Sequence, residues 1–417
     1  MRVLEGKQAA EACRGIAARS ATSDRKVERT VQRIIDEVRR KGEPAVRRYA
    51  EKLDRLKEGQ PLRVTALEMR AALGAVSPAF LDAVKEAAAN IRKFAEWQKP
   101  KSWMRTIRPG VRVGQEVVPL SRVGCYVPGG RYPLPSSLLM TVVPAQVAGV
   151  TKISVASPSP AVETLAAAAL IGVRDFYRIG GAQAIASFAY GVESKDSPIA
   201  RVDKIVGPGN AYVTAAKKSV AFDSAIDMLA GPTEAVVLAH DGDGRFYAAD
   251  LVAQAEHDPE ALVIFISSNR KLARDVVREC SAMTKRNPIA REALERNAVA
   301  LLASTKEQAL GWATAIACEH ATVPRGDEKR IFQAGSVFVG QYSPQSLGDY
   351  VAGPNHTLPT GGAARFRGGL SVLDFLKIIT VQEVTRFGLK KIGPTAVTLA
   401  EAEGLKAHAD SVRVRLQ

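Results

Sequence analysis

Apolar residues change their spacing along the chain, and each change marks a region. From residue 24 to about 98 they recur at helical intervals, with Val27, Val31, Ile34, Ile35 and Val38 on one helix face. Ser23 or Asp24 can cap that helix, and Lys41-Gly42 supplies a stop signal. A second amphipathic helix is predicted over 78–96, with Ser77 as cap and Pro78 suited to the first helical position. After Val117 short apolar runs alternate with Ala-rich helical stretches. Strands are expected at 123–127, 152–157, 175–179, 204–206, 235–238, 262–266 and 336–339, and helices at 136–148, 162–171, 183–190 and 247–256. Such alternation predicts an α/β fold, with parallel sheets and crossover helices. The break at Leu229-Ala230-Gly231-Pro232 divides it into two α/β halves. Glycine and proline crowd 353–369, which reads as an irregular loop. Helix-like spacing returns from Ile379 to His408.

Composition narrows the class of protein. A chain of 417 residues, 46% hydrophobic and 24% charged, has the balance of a soluble globular protein with more than one substructure. The start, Met1-Arg2-Val3-Leu4-Glu5-Gly6-Lys7, lacks the apolar core of a signal peptide, and no apolar run of about 18 residues is long enough for a bilayer. A cytoplasmic protein without a membrane partner is expected. Cys13, Cys125, Cys280 and Cys318 are scattered, which argues against a disulfide framework and against a thiolate zinc site. The net charge of +15 raises nucleic acid as a partner. The densest basic run, Arg39-Arg40-Lys41 with Arg47-Arg48, is interleaved with Asp36, Glu37, Glu43 and Glu51, so it reads as a solvated helix face and no nucleic-acid partner is expected.

Candidate chemistry sits in loops and at helix ends. Gly124-Cys125-Tyr126-Val127-Pro128-Gly129-Gly130, Gly180-Gly181-Ala182-Gln183 and Gly207-Pro208-Gly209-Asn210 each follow an expected strand and lead into a helix. Glycine there lets a ligand approach the backbone, and helix N-termini favour anions. No GxGxxG or Walker motif is present, and each loop taken alone also reads as a tight turn. The chain holds five histidines. Gln254 and His257 share a helix face near its end at Pro259; the pair suits a divalent ion, but taken alone it reads as a hydrogen-bonded surface histidine. Glu319-His320 offers the two side-chain types most used for proton transfer near neutral pH. Nothing around Cys318 marks it as an activated thiol. The loop from Gly348 to Thr360 sets Asp349 and His356 among glycines and prolines, and Glu403 and His408 add a carboxylate and an imidazole near the end.

The ordered segments CYVPGG, GGAQA, VGPGNAYV, DMLAGPTE, QAEHDP, EH, AGSVF, GDYVAGPNHTLPT and EGLKAHA resemble the histidinol dehydrogenase family over nearly the whole chain. The resemblance implies two incomplete Rossmann-like, aldehyde-dehydrogenase-like halves: an N-terminal helical region over 1–115, an NAD-binding half over 116–229, a zinc and catalytic half over 230–370, and a helical tail over 371–417. It implies a homodimer in which that tail reaches the partner's site. Gln254, His257, Asp349 and His408 would hold one zinc ion per subunit, His408 acting across the dimer. Tyr126, Gln183 and Asn210 would contact NAD. Thr233, His356 and Glu403 would bind substrate together with His320 and the zinc ligands, and Glu319 with His320 would be the catalytic pair. The implied reaction oxidises L-histidinol through L-histidinaldehyde to L-histidine, the last steps of histidine biosynthesis.

The chain departs from the family pattern at four points. Cys318 and Ala321 flank the catalytic pair where the family has Pro and Leu, Thr233 replaces a typical Ser, and the segment between His320 and Ala334 is shorter. Gly130-Arg131 also places an arginine in the first glycine loop, as in related zinc and NAD alcohol dehydrogenases that act on other small alcohols such as a sulfonated propanediol.

Overall fold

Two parallel sheets organise the protein, and the same strand order recurs in both. In the computed structural model, which describes every residue except 21–23, 130, 131 and 332, the first sheet runs Asp175–Tyr177, Lys152–Ala156, Arg122–Tyr126, Lys204–Val206, Ala225–Ile226. The second runs Arg2–Glu5, Val299–Leu302, Leu262–Ser267, Glu234–Leu238, Cys318–Val323, Ala334–Val339. Apart from the edge strand Arg2–Glu5, the chain in each starts centrally, works outward to one side, then returns to build the other. That reversal creates a switch point, between Arg122–Tyr126 and Lys204–Val206 in one sheet and between Glu234–Leu238 and Cys318–Val323 in the other. Ser23, expected as a helix cap, and the Gly130-Arg131 pair lie outside the described residues; Asp24 does cap Arg25–Lys41, accepting from the Lys26 N–H at 2.7 Å.

The helices from Arg25 to Gln98 are outer layers of the first sheet. Arg25–Lys41 buries Val31, Ile34, Ile35 and Val38 against Gly181–Tyr190 and Ala211–Val220, as their helical spacing predicts. On the opposite face, Pro78–Gln98 and Val162–Leu170 pack with Pro135–Ala148 around Leu138, Met140 and Phe176. The second sheet is enclosed by Gly244–Ala255 and Arg270–Met283 on one face and by Gly6–Ala17 and Lys306–Ile316 on the other.

All seven expected strands are present, but two readings are corrected. Residues 1–115 are not purely helical, because Arg2–Glu5 adds an edge strand to the distant second sheet by pairing with Val299–Leu302. Trp103–Arg108 and Val111–Pro119 form an antiparallel hairpin. The tail does not start as a helix at Ile379: Leu376–Val384 is a strand paired antiparallel with Val111–Pro119 along its full length. Its β-branched run Ile378, Ile379, Thr380, Val381 suits a pleated surface better than a helix. The helices Arg386–Ala402 and Lys406–Arg413 follow, so hairpin, strand and helices make an arm. Ile107, Ile378, Ile379, Phe387 and Leu399 are all about half exposed or more on it. No helix among the described residues is long and apolar enough to cross a membrane.

Candidate active site between the two sheets

The carboxyl edge of the first sheet faces the amino edge of the second. Thr214, in the first turn of Ala211–Val220, donates to the Ala230 carbonyl (2.8 Å) just before strand Glu234–Leu238. Asn355 donates to the Met140 carbonyl (2.6 Å), and His356 Nε2 lies 3.3 Å from Ser137 Oγ at the start of Pro135–Ala148. The loop expected over 353–369 thus clamps one half to the other. It is irregular apart from the short turn Ala363–Arg365.

On the first side, backbone turns dominate. Tyr126 ends its strand, and Gly207 follows the neighbouring one with φ +120; a side chain on Gly207 would meet the Tyr126 carbonyl oxygen at 2.0 Å, so only glycine fits. Lys217 and Asp227, both buried, form an ion pair beneath this turn. Asp227 accepts from the Gly207 N–H (2.7 Å) and Lys217 donates to its carbonyl (2.9 Å). Asn210 caps Ala211–Val220, its carbonyl oxygen accepting from the N–H groups of Tyr212 and Val213. Tyr126 Oη accepts from the Gly181 N–H (3.2 Å), and burial pushes its hydroxyl up to about 12. Gln183 is buried, and its Nε2 donates to Asp54 (2.9 Å). Tyr126, Gln183 and Asn210 therefore all lie at the carboxyl edge, where helix N-termini and free backbone suit an anionic nucleotide.

On the second side, ionisable side chains dominate. Helix Gly244–Ala255 runs back toward the amino edge and ends with buried Gln254, followed by exposed His257. Gln254 Nε2 donates to Asp349 Oδ2 (3.1 Å), and the other Asp349 oxygen lies 3.3 Å from His320 Nε2. The Asp349 carbonyl takes His356 Nδ1 (2.7 Å). Strand Cys318–Val323 places His320, 3% exposed, in a stack on Phe338 with ring centroids 5.9 Å apart. Glu319 Oε2 accepts from the Glu234 N–H (3.0 Å), directly after half-buried Thr233, and lies 3.6 Å from His320 Nδ1. His320 Nδ1 is buried without a hydrogen-bond partner among the described residues.

Proton affinities in this cluster oppose each other. Burial works against a charged His320, but the Glu319 and Asp349 carboxylates outweigh it and raise the imidazole. Burial raises the Glu319 carboxyl, only partly offset by His320. For Asp349, burial is overcome by the hydrogen bond from His320 and by the charges of His320, His356 and His257, so the carboxyl is lowered. His356 is lowered by burial. Cys318 is buried and its thiol is pushed up, which fits an inert packing residue.

Sequence reasoning missed the supports of this cluster. Arg19 forms a two-armed ion pair with buried Glu234 and donates to the Ile316 carbonyl, tying the strand of Thr233 and Glu234 to the turn before Glu319. Gly361 donates to the same Glu234 (2.9 Å). Asp54, which accepts from the Gly180 N–H, had no local signal at all.

The structure brings Gln254, His257, Asp349, Glu319, His320, His356 and Thr233 to one edge. Glu403 and His408 are not among them: both are exposed on the arm, beyond the cluster of their own chain. Among the described residues, one chain gathers no three His, Cys, Asp or Glu side chains into a metal cage. Gln254, His257 and Asp349 supply nitrogen and oxygen donors beside a helix C-terminus, a set that suits a divalent cation once a further ligand joins.

Paired α/β sheets with glycine turns on one side and a buried carboxylate–imidazole pair on the other define an enzyme built for acid–base chemistry beside an anionic ligand. The histidinol dehydrogenase family model matches residues 17–416, and the chain belongs to that family of oxidoreductases. Histidinol dehydrogenase of Methanosarcina barkeri is 42% identical over 93% of this chain and 92% of its own length. That of Syntrophotalea carbinolica is 44% identical, covering 96% and 95%. The crystal structure of histidinol dehydrogenase from Elizabethkingia anophelis superposes with a TM-score of 0.94 at 34% identity, over all of this chain and 98% of the other.

Proposed function

We propose that the protein oxidises L-histidinol through L-histidinaldehyde to L-histidine, with two molecules of NAD as oxidant and one zinc ion per subunit of a homodimer. The observation that carries this reading is the Glu319–His320–Asp349 cluster, buried and facing the glycine edge. His320 takes the hydroxyl proton of the alcohol while the carbinol hydride goes to the dinucleotide; its buried Nδ1 has no hydrogen-bond partner among the described residues, so it holds an unused lone pair or proton for that transfer. Asp349 orients the ring from the opposite nitrogen. Glu319 then removes a proton from water as the water oxygen adds to the aldehyde carbon, and His320 returns its proton to the carbonyl oxygen, completing the hydrate; as the second hydride goes to the second NAD, a hydrate hydroxyl gives its proton back to His320. A divalent cation on Gln254, His257 and Asp349 would anchor the substrate's imidazole and amino groups and draw the Asp349 charge away from His320, lowering its proton affinity. The dimer is supported by the arm, whose apolar residues face solvent in one chain and which carries Glu403 and His408 away from their own cluster.

The test is the number of NADH formed per L-histidinol, with chelator and with zinc restored. Two NADH, abolished by chelation and regained with zinc, is the expected result. No turnover by zinc-loaded protein would transfer the activity to another small alcohol.

A further inference from the structure

Asp54 is a buried carboxylate at the glycine edge that forms no ion pair among the described residues. It ends helix Glu43–Leu53 and is 7% exposed. Its Oδ2 accepts from the Gly180 N–H (2.8 Å) and from Gln183 Nε2 (2.9 Å), and its own carbonyl takes the Ser159 hydroxyl. Burial pushes the carboxyl up to about 6, against these hydrogen bonds. An ionised carboxylate only accepts, so Gln183 must turn its NH2 toward Asp54 and its carbonyl oxygen away. That oxygen, Gln183 Oε1, is buried and has no partner among the described residues. A buried acceptor left open at a ligand edge marks the place of a ligand donor.

We propose that Asp54 is a positioning residue of the dinucleotide site: it fixes the Gly180–Gln183 turn and sets the Gln183 amide so that its oxygen accepts from a hydroxyl or amide N–H of the dinucleotide. This rests on the dehydrogenase reading above. Asp54→Asn keeps an oxygen where Oδ2 stands; Asp54→Ala removes the latch.

The measurement is NADH affinity by fluorescence on the full-length, substrate-free protein, together with KM for NAD and for histidinol. Asp54→Ala should weaken NADH binding and raise KM for NAD about tenfold while KM for histidinol stays within about twofold; Asp54→Asn should recover most of the loss. A single lost hydrogen bond to a ligand is of that size. NADH affinity equal to wild type, or equal losses for both substrates with no rescue by Asn, would overturn the proposal. If Asp54→Ala does not fold, Gln183→Met tests the same acceptor, and unchanged NADH affinity there overturns it too. Wild type that binds no NADH would instead defeat the dehydrogenase reading itself.

Discussion

The first sheet and the second share a strand order but offer opposite ends of it to the same cleft. At the carboxyl edge of the first, helices Gly181–Tyr190 and Ala211–Val220 begin, so N–H groups and positive dipole ends point into the site. At the amino edge of the second, helix Gly244–Ala255 ends, and its carbonyls and negative dipole end lie beside Gln254 and His257. One edge therefore suits an anion and is built from backbone. The other suits a cation and is built from side chains. A repeated topology needs no repeated function: which edge faces inward decides what can bind.

If this division of labour holds, changes on the side-chain edge should alter chemistry and leave dinucleotide affinity alone. His320→Asn should have the largest effect, lowering the first oxidation by about 10²–10⁴-fold, the usual worth of a positioned proton acceptor. Zinc content and NADH affinity should remain; loss of either would show that His320 belongs to binding.

Next in size is the support beneath the pair. Arg19→Met leaves Glu234 buried with no cation, and such breakage costs about 3–5 kcal/mol. The melting temperature should fall sharply while the purified protein still binds NADH when cold. A melting point near wild type would mean that the Arg19–Glu234 pair holds nothing in place. Glu319→Gln comes third, at about a hundredfold. It should spare the alcohol step and fail chiefly from aldehyde to acid, read by supplying each compound separately. Equal loss in both steps would remove Glu319 as the water activator.

How legible each side was in the sequence follows from the same contrast. Glycine turns after β-branched runs are local signals, so the carboxyl edge was readable near Tyr126, Gly180 and Gly207. Asp349, His356, Gln254 and His257 stood out by residue type in an irregular loop and at a helix end. Strand Cys318–Val323 was not read, because Glu319 and His320 interrupt the apolar run expected of a buried parallel strand. The edge strand Arg2–Glu5 pairs with residues nearly 300 positions away, and Asp54 reaches Gly180 across 126. No local pattern encodes such partners. The tail strand was misread because Leu376–Val384 is mostly exposed, so no buried face imposes a clear period.

The last effect tests the boundary between binding and stability on the backbone edge. The Asp54 carboxyl sits at about 6 in the folded chain, since burial outweighs its hydrogen bonds, whereas a free aspartate lies near ~3.9. A carboxyl raised on folding holds its proton more tightly in the native state. Its contribution to stability is thus fully present below about pH 4 and is lost as the pH rises through about 6. Above that, the charged group costs up to about 3 kcal/mol, which a neutral Asn avoids. Asp54→Asn should therefore melt higher than wild type at pH 8 and about equal to it at pH 4. The same margin at both pH values would mean that the carboxyl is not raised in the fold. A margin confined to high pH would show a charge kept at the cleft against the interest of the fold, as expected of a residue retained for what it positions.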